Sequence, residues 1–283
     1  MNKGRQELVE LSLSVSLVVY KPDLAVLECT LRALQHAARG AMNHYAMRFE
    51  LTLVDNSCDI AWYERLHAWV KEHAGKWPDW PVRVLQAPGN IGYGRGNNLA
   101  IEQAQSDYHL VINPDVFVAE NALHEAIGFM ESNPDVGLLT PEVRGEDGER
   151  HYLCKHNPTL FIMFLRGFIP SWLRLFFKSR LDAFEMLDND YDSQIEGIQY
   201  PSGCFMFFRT SSLRQLHGFD PAFFMYLEDA DIGRRMLEIA QVVYVPSVKV
   251  VHQWARGTHR NWRLRWVTIQ SAFIYWKKWG GII

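Results

Sequence analysis

Residues 13–37 read LSVSLVVYKPDLAVLECTLRALQHA, and the change of rhythm inside them decides the fold class. Residues 13–20 are apolar and valine-rich, which predicts a buried strand, and Lys21 with Pro22 ends it. From Leu24 the period changes. Leu24, Leu27, Leu31 and Leu34 recur at helical spacing, so 24–38 is expected to be a helix. The alternation continues along the chain. LTLVDNS (51–57) predicts a second buried strand, 62–74 an amphipathic helix, 82–88 a short strand and 97–105 another helix. Residues 108–118 read as a strand broken at Pro114. This order implies a parallel, doubly wound α/β sheet over roughly the first 120 residues.

Beyond that point the rhythm loosens. Residues 136–153 suggest loop with a strand or two, 200–209 a strand, 211–220 a short helix closing at Gly218, and 242–253 a strand. Two stretches mix large apolar side chains with cations: FIMFLRGFIPSWLRLFFKSR (161–180) and NWRLRWVTIQSAFIYWKKWG (261–280). The second reads as a basic, tryptophan-rich helix, and no carboxylate side chain follows Glu238. With no repeat or linker in view, a single domain over residues 1–283 is expected.

Composition narrows the function classes. A hydrophobic share of 48% supplies a sizeable core, and a net charge of −3 argues against a general nucleic-acid binder. Cys29, Cys58, Cys154 and Cys204 are scattered without a CxxC pair, as in a reduced cytoplasmic protein with neither disulfide framework nor zinc site. Glu7 and Glu10 precede a short apolar run, so no signal peptide is expected. No stretch approaches about 18 uncharged apolar residues, so the expected state is soluble or attached to a membrane only from its surface.

In a doubly wound sheet, ligands gather at the carboxyl ends of the parallel strands. Asp55, Asn56 and Ser57 end the second strand there, either as a turn with local side-chain bonding or as acceptors for a ribose or base. GNIGYGRGNN (89–98) lets backbone approach a ligand closely. Its G-x-G invites a dinucleotide reading, yet that fingerprint belongs after the first strand. Asn113, Pro114 and Asp115 interrupt an apolar run, and a carboxylate there either makes a turn or meets a cation. MYLEDADIGRRM (225–236) crowds Glu228, Asp229 and Asp231 after an aromatic approach. The helix dipole and an Asp231/Arg235 pair explain part of that acidity, while a carboxylate against aromatic surface also suits general base work. His252 ends the last strand, and the basic loop after it, with Arg256, is suited to phosphate.

Taken in order, SLVVYKP, LVDNS, GNIGYGRGNN, INPDV, YPSGCFMFFR, GFDPAFFMYLEDADIGRR and the strand ending at His252 resemble glycosyltransferase family 2. This is a family of inverting enzymes with the GT-A fold, and the chain is most similar to its bacterial rhamnosyltransferase branch. The resemblance implies a nucleotide-sugar half over about residues 1–120, an acceptor and catalytic half over about 121–260, and the basic helix 261–280. It implies that Val19, Tyr20 and Asp55 hold the nucleoside and that Asn90, Gly92 and Asn97 line the donor cleft. Asp115 takes the place of the last aspartate of the DxD motif, which binds Mg²⁺ or Mn²⁺ on the diphosphate, with His252 beside it. Asn113 replaces the first DxD aspartate, a departure that bears on how tightly metal is held. Asp229 matches the catalytic base, with Glu228, Asp231 and Arg234 as its close supports, and Gly203, Tyr226, Asp231 and Arg256 are expected on the substrates.

The activity so implied is transfer of L-rhamnose from dTDP-rhamnose to a saccharide acceptor, lipid-linked, in cell-surface polysaccharide synthesis. A family 2 enzyme using UDP-glucose, UDP-galactose or UDP-GlcNAc is the first alternative. A non-catalytic binding module is the second, and a dehydrogenase a distant third. The aromatic, basic segments 161–180 and 261–280 suit either an anionic cytoplasmic leaflet or packing on the core or a second copy of the chain. No nucleic-acid partner is expected.

Overall fold

The structure is a computed structural model that describes residues 10–77, 80–253 and 262–280. Its first half follows the alternation of the sequence: β1 (Leu11–Val19), α1 (Leu24–Met42), β2 (Met47–Asp55), α2 (Ile60–His73), β3 (Val82–Gln86), α3 (Tyr93–Ile101) and β4 (Tyr108–Ile112). In α1, Leu27, Leu31, Leu34, Ala38 and Ala41 fall on one face and are buried, while Asp23 caps the start by accepting from the Ala25 N–H. The helix α3 begins four residues before the expected start, because Gly92 rather than Asn97 opens it.

After β4 come β5 (Val116–Val118), α4 (Ala122–Ser132), β6 (Val136–Arg144) and β7 (Arg150–His151). Pro114 separates β4 from β5, as expected; α4 lies where no element was expected. A helical cluster follows: α5 (Leu160–Phe168), α6 (Ser171–Arg174), a single 3₁₀ turn and α7 (Lys178–Phe184). The chain then returns to the sheet through β8 (Ile195–Glu196) and β9 (Phe205–Arg209). It ends with α8 (Thr210–Gln215), α9 (Glu228–Met236), β10 (Gln241–His252) and α10 (Trp262–Trp279).

The strands form one sheet in the order β3-β2-β1-β4-β9-β6-β10-β5, with β7 beside β6 and β8 beside β10. The pairings β3-β2, β2-β1 and β1-β4 are parallel, the half that the sequence rhythm predicted. Strand β9 then runs antiparallel between β4 and β6, so the complete sheet is mixed. One core lies under α1 and α4 and includes Leu17, Leu51, Leu110 and Phe207. A second, on the other face, gathers Met206, Phe208, Phe219, Ile232 and Met236. Alternation along β9 sends Phe205 and Phe207 to one core and Met206 and Phe208 to the other. Each buried phenylalanine contributes about 1.5–3 kcal/mol of apolar burial, so β9 cements the two halves.

Two consequences of this topology place the site. Parallel pairing brings the carboxyl ends of β1, β2 and β4 to one edge, with Val19 level with Asp55. Antiparallel pairing sets Phe205, at the start of β9, opposite Ile112, at the end of β4. The segment that leads into β9 therefore crosses the same edge.

Candidate active site at the carboxyl edge of the sheet

Asp55 is 1% exposed, and its Oδ1 accepts from the Ser57 N–H at 2.9 Å. Its Oδ2 is enclosed without a protein partner, an acceptor ready for a ligand donor. Tyr20 stands exposed at the rim, just after Val19. Asn56 ties this edge to the glycine-rich loop, donating to Asn90 Oδ1 (3.2 Å) and Gly92 O (3.1 Å) and accepting from the Ile91 N–H at 2.9 Å. Asn97 is fully buried: it accepts from Ser16 Oγ at 2.8 Å and donates to Tyr93 O at 3.1 Å. It braces the cleft wall from behind and does not face the cleft.

Gly92 has φ +90°, and an added Cβ would lie 2.0 Å from Phe224 O. Only glycine allows this approach, and the Tyr93 N–H uses it to donate to Phe224 O at 3.0 Å. The donor-side loop is thereby bonded to the loop that carries the acids.

Asp115 follows Pro114, whose carbonyl is held by Thr30 Oγ1 at 2.7 Å. His252 pairs with Val116 in register, which sets its Nε2 3.2 Å from Asp115 Oδ1. Burial alone would lower the histidine's proton affinity, but hydrogen bonds to Asp115 and Cys204 prevail and raise its pKa to about 9. The protonated imidazole thus donates to the Asp115 carboxylate at the cleft. The described residues contain no group of three or more His, Cys, Asp or Glu side chains able to hold a metal. Asp115, joined by His252 once a cation displaces its proton, fits a divalent cation that would take its remaining ligands from a diphosphate and water. Asn113 lies beside it, its N–H donating to Cys204 O at 2.9 Å.

Across the edge, Tyr226 and Leu227 both adopt left-handed backbone, at φ +71° and +66°, just ahead of α9. Two such residues in a row store strain of roughly 1–2 kcal/mol each and aim the first turn of α9. Asp229 Oδ2 accepts from the Gly203 N–H and its Oδ1 from the Ala230 N–H, both at 3.0 Å. Tyr93 clamps the same segment by donating to Gly203 O at 2.7 Å. An added Cβ on Gly203 would touch Asp229 Oδ2 at 3.4 Å, so glycine keeps the space beside the carboxylate clear.

Glu228 is buried and Asp229 half-buried beside it, and removal from water raises the proton affinity of both. The repulsion of Asp229 raises Glu228 further. Asp229 is offset by the Gly203 N–H and by the charge of Lys155, a residue no sequence motif singled out. Glu228 Oε2 has no protein partner. Of the two, Glu228 is the one more strongly driven to hold a proton, and Asp229 the one whose charge the surroundings support.

The other expected site residues divide clearly. Asp231 is fully buried and fully engaged, with Arg235 Nε at 2.8 Å, Lys278 Nζ at 2.7 Å and Trp279 Nε1 at 2.9 Å. It is closed to substrate and joins α9 to α10. Arg234 lies 4.3 Å over the Trp279 ring, on the same junction. Tyr226 is half-buried beside Glu228, and Arg256 lies outside the described residues. Tyr93 lies within the glycine-rich stretch 89–98 and Lys278 and Trp279 within the basic segment 261–280, but neither pattern marks these residues individually for the site.

The profile of the family described as "Glycosyl transferase family 2" matches residues 14–216, well over half of the chain. The chain belongs to glycosyl transferase family 2. The match covers the donor edge, Asp115 and Gly203, while Asp229 and His252 lie beyond it. N-acetylglucosaminyl-diphospho-decaprenol L-rhamnosyltransferase of Mycobacterium tuberculosis is 29% identical over 192 residues, 64% of this chain and 61% of its own length. The chain thus spans about three fifths of that relative. Rhamnosyltransferase WbbL of Escherichia coli is 28% identical over 199 residues, 66% of this chain and 70% of its own.

Solved structures share the fold at low identity. Mannosyltransferase PcManGT from Pyrobaculum calidifontis, in complex with GDP-Man and Mn²⁺, aligns with a TM-score of 0.60 at 16% identity, covering 92% of this chain and 62% of its own. S. aureus TarS 1-349 in complex with UDP gives 0.57 at 16%, covering 86% and 61%. The architecture of this family 2 member is the GT-A fold, with a mixed central sheet.

Proposed function

We propose that this protein is an inverting glycosyltransferase that moves a sugar from a nucleotide diphosphate donor to a lipid-linked saccharide acceptor, with dTDP-L-rhamnose as donor. The observation that carries the reading is the state of Asp229. Its carboxylate accepts from the Gly203 and Ala230 N–H groups, these bonds and the charge of Lys155 oppose the rise in proton affinity that burial brings, and it sits on the sheet edge that also carries Asp115. A binding module has no use for such a base. The choice of rhamnose rests on the names of the two relatives and that of a lipid-linked acceptor on the name of the first alone, and a family 2 reaction with another nucleotide sugar is the alternative.

In this reading Asp55 Oδ2 accepts from the nucleoside and the glycine-rich loop follows the diphosphate. A divalent cation, Mg²⁺ or Mn²⁺, held by Asp115 and His252 would supply Lewis acidity to the departing diphosphate. Asp229 takes the proton of an acceptor hydroxyl as that oxygen bonds to the anomeric carbon from the face opposite the leaving group. The bond from the anomeric carbon to the diphosphate oxygen breaks in the same displacement, inverting the centre. Lys155 and the Gly203 N–H keep the carboxylate charged until that moment. The segments 161–180 and 261–280 would bring the chain to the membrane surface where such an acceptor resides.

Asp229→Asn tests the core of this reading. Turnover should fall by about 10²–10⁴-fold, the usual worth of a general base, while calorimetric affinity for dTDP stays within about twofold. Turnover close to wild type in that variant would remove Asp229 from the role.

A further inference from the structure

Lys155 and Arg166 are neighbouring cations near the base, of which the reaction just described uses only the charge of Lys155. Lys155 is firmly placed. Its backbone exchanges two hydrogen bonds with Tyr200, both 3.0 Å, and its ammonium lies 4.9 Å from the centre of the Tyr200 ring. Three residues after Tyr200, Gly203 supplies the N–H that holds Asp229. Arg166 reaches the same region from α5, paired with Glu185 at 3.1 Å and lying 5.3 Å over the Phe184 ring. Among the described residues no carboxylate lies within ion-pair distance of the Lys155 ammonium. Burial and the like charge of Arg166 both disfavour that ammonium, with partial return from Asp229 and Glu185. A half-buried cation beside a second cation costs stability unless an anion completes it. Asp229 is turned to the Gly203 and Ala230 N–H groups, so the completing anion comes from a ligand.

We propose that Lys155, supported by Arg166, forms an anion subsite for the phosphate adjoining the acceptor sugar, so that the acceptor is a saccharide carried on a phosphate or diphosphate ester. Two cations from different elements, the β-bridge at Lys155 and the helix α5, suit the several oxygens of a phosphate group. The proposal rests on the glycosyl-transfer reading and specifies the substrate class of the same site.

The test compares two probes in neutral detergent, which keeps lipid headgroups out, with the donor site filled by saturating dTDP and Mg²⁺. One probe is N-acetylglucosamine joined to farnesol through a diphosphate; the other is its uncharged octyl glycoside. Calorimetry on wild type should show the diphosphate probe binding about 10- to 100-fold tighter, the worth of charge-assisted hydrogen bonds. Lys155→Met should erase most of that preference and Arg166→Met part of it, while Lys155→Arg retains it. A preference that survives in Lys155→Met overturns the subsite. So does an equal loss for both probes, which would mean that Lys155 serves only to keep Asp229 charged. Absence of transfer by wild type from any nucleotide sugar would defeat the glycosyltransferase reading instead, and the binding comparison would still decide the subsite.

Discussion

At the scale of single residues, the two acids of α9 illustrate how environment divides identical chemistry. Glu228 keeps its proton in the folded protein because burial and the charge of Asp229 raise its pKa, whereas in the unfolded chain it releases that proton in the ordinary glutamate range. The folded form thus binds the extra proton, and stability from this group is full below the ordinary glutamate pKa and drains away as pH rises above it. Wild type should lose melting temperature between about pH 5 and 9, and Glu228→Gln, which mimics the protonated form, should flatten that slope. A slope unchanged in the variant would show that Glu228 does not hold the proton. Asp115 makes a second prediction: Asp115→Ala should weaken Mg²⁺-dependent dTDP binding by at least about tenfold, and equal affinity by calorimetry would remove it from the metal site. Asp55, Asp115, Asp229 and His252 were legible because each carboxylate or imidazole ends an apolar run. Lys155 was not, since its significance comes from the bridge to Tyr200 and from Arg166, neither of which leaves a local pattern.

Among elements, α10 couples to the catalytic helix more tightly than its composition suggests. Lys278 bonds both Asp231 and Asp220, Trp279 bonds Asp231, Ser271 bonds Met225 O at 2.8 Å, and Tyr275 bonds Asn157 at 3.0 Å. Its inner face thus holds the loop before α9 and the first turn of α9 itself. Lys278→Met would leave the enclosed Asp231 with Arg235 and Trp279 alone. Lys278 is 31% exposed and Arg235 remains, so the loss should be about 1–2 kcal/mol, less than for a fully buried pair. The less compensated charge of Asp231, two residues from Asp229, should also move the acid limb of the pH–rate profile upward, because the base then holds its proton more strongly. Lys278→Arg should restore both properties. A lowered melting temperature with an unmoved pH profile would make the contact structural only. The Asp231/Arg235 pair was legible at i,i+4 spacing, and the basic helix at the end was legible from composition. Their meeting was not, because ion pairs between distant segments have no period.

For the whole molecule, the sequence carried the parallel half and stopped where the topology became non-local. Strands β1 to β4 are joined by helices and declare themselves by rhythm, but the insertion of β9 between β4 and β6 is a choice among distant partners that no window of sequence records. That insertion is what brings Gly203 to the edge, so the site depends on the part least legible. The same folding back packs α10 on α5 and leaves an outer surface of large apolar side chains. Trp172, Leu175, Phe176, Trp262, Trp266 and Phe273 are each more than half exposed. Residues 160–181 and 262–279 contain four Lys or Arg each and no carboxylate. No described helix is long and apolar enough to cross a membrane. Aromatic side chains interleaved with lysine and arginine would suit an anionic bilayer surface, where the rings would enter the headgroup region and the cations meet lipid phosphate. Wild type should co-sediment with phosphatidylglycerol vesicles and much less with purely zwitterionic ones, and 0.5 M salt, roughly enough to screen surface charge, should weaken the interaction. Trp172→Ala with Phe176→Ala, or Trp262→Ala with Trp266→Ala, should lower the bound fraction while leaving dTDP affinity intact, since none of these residues lies at the donor edge. If wild type never sediments with anionic vesicles, this surface faces protein, and its first test becomes the oligomeric state in solution.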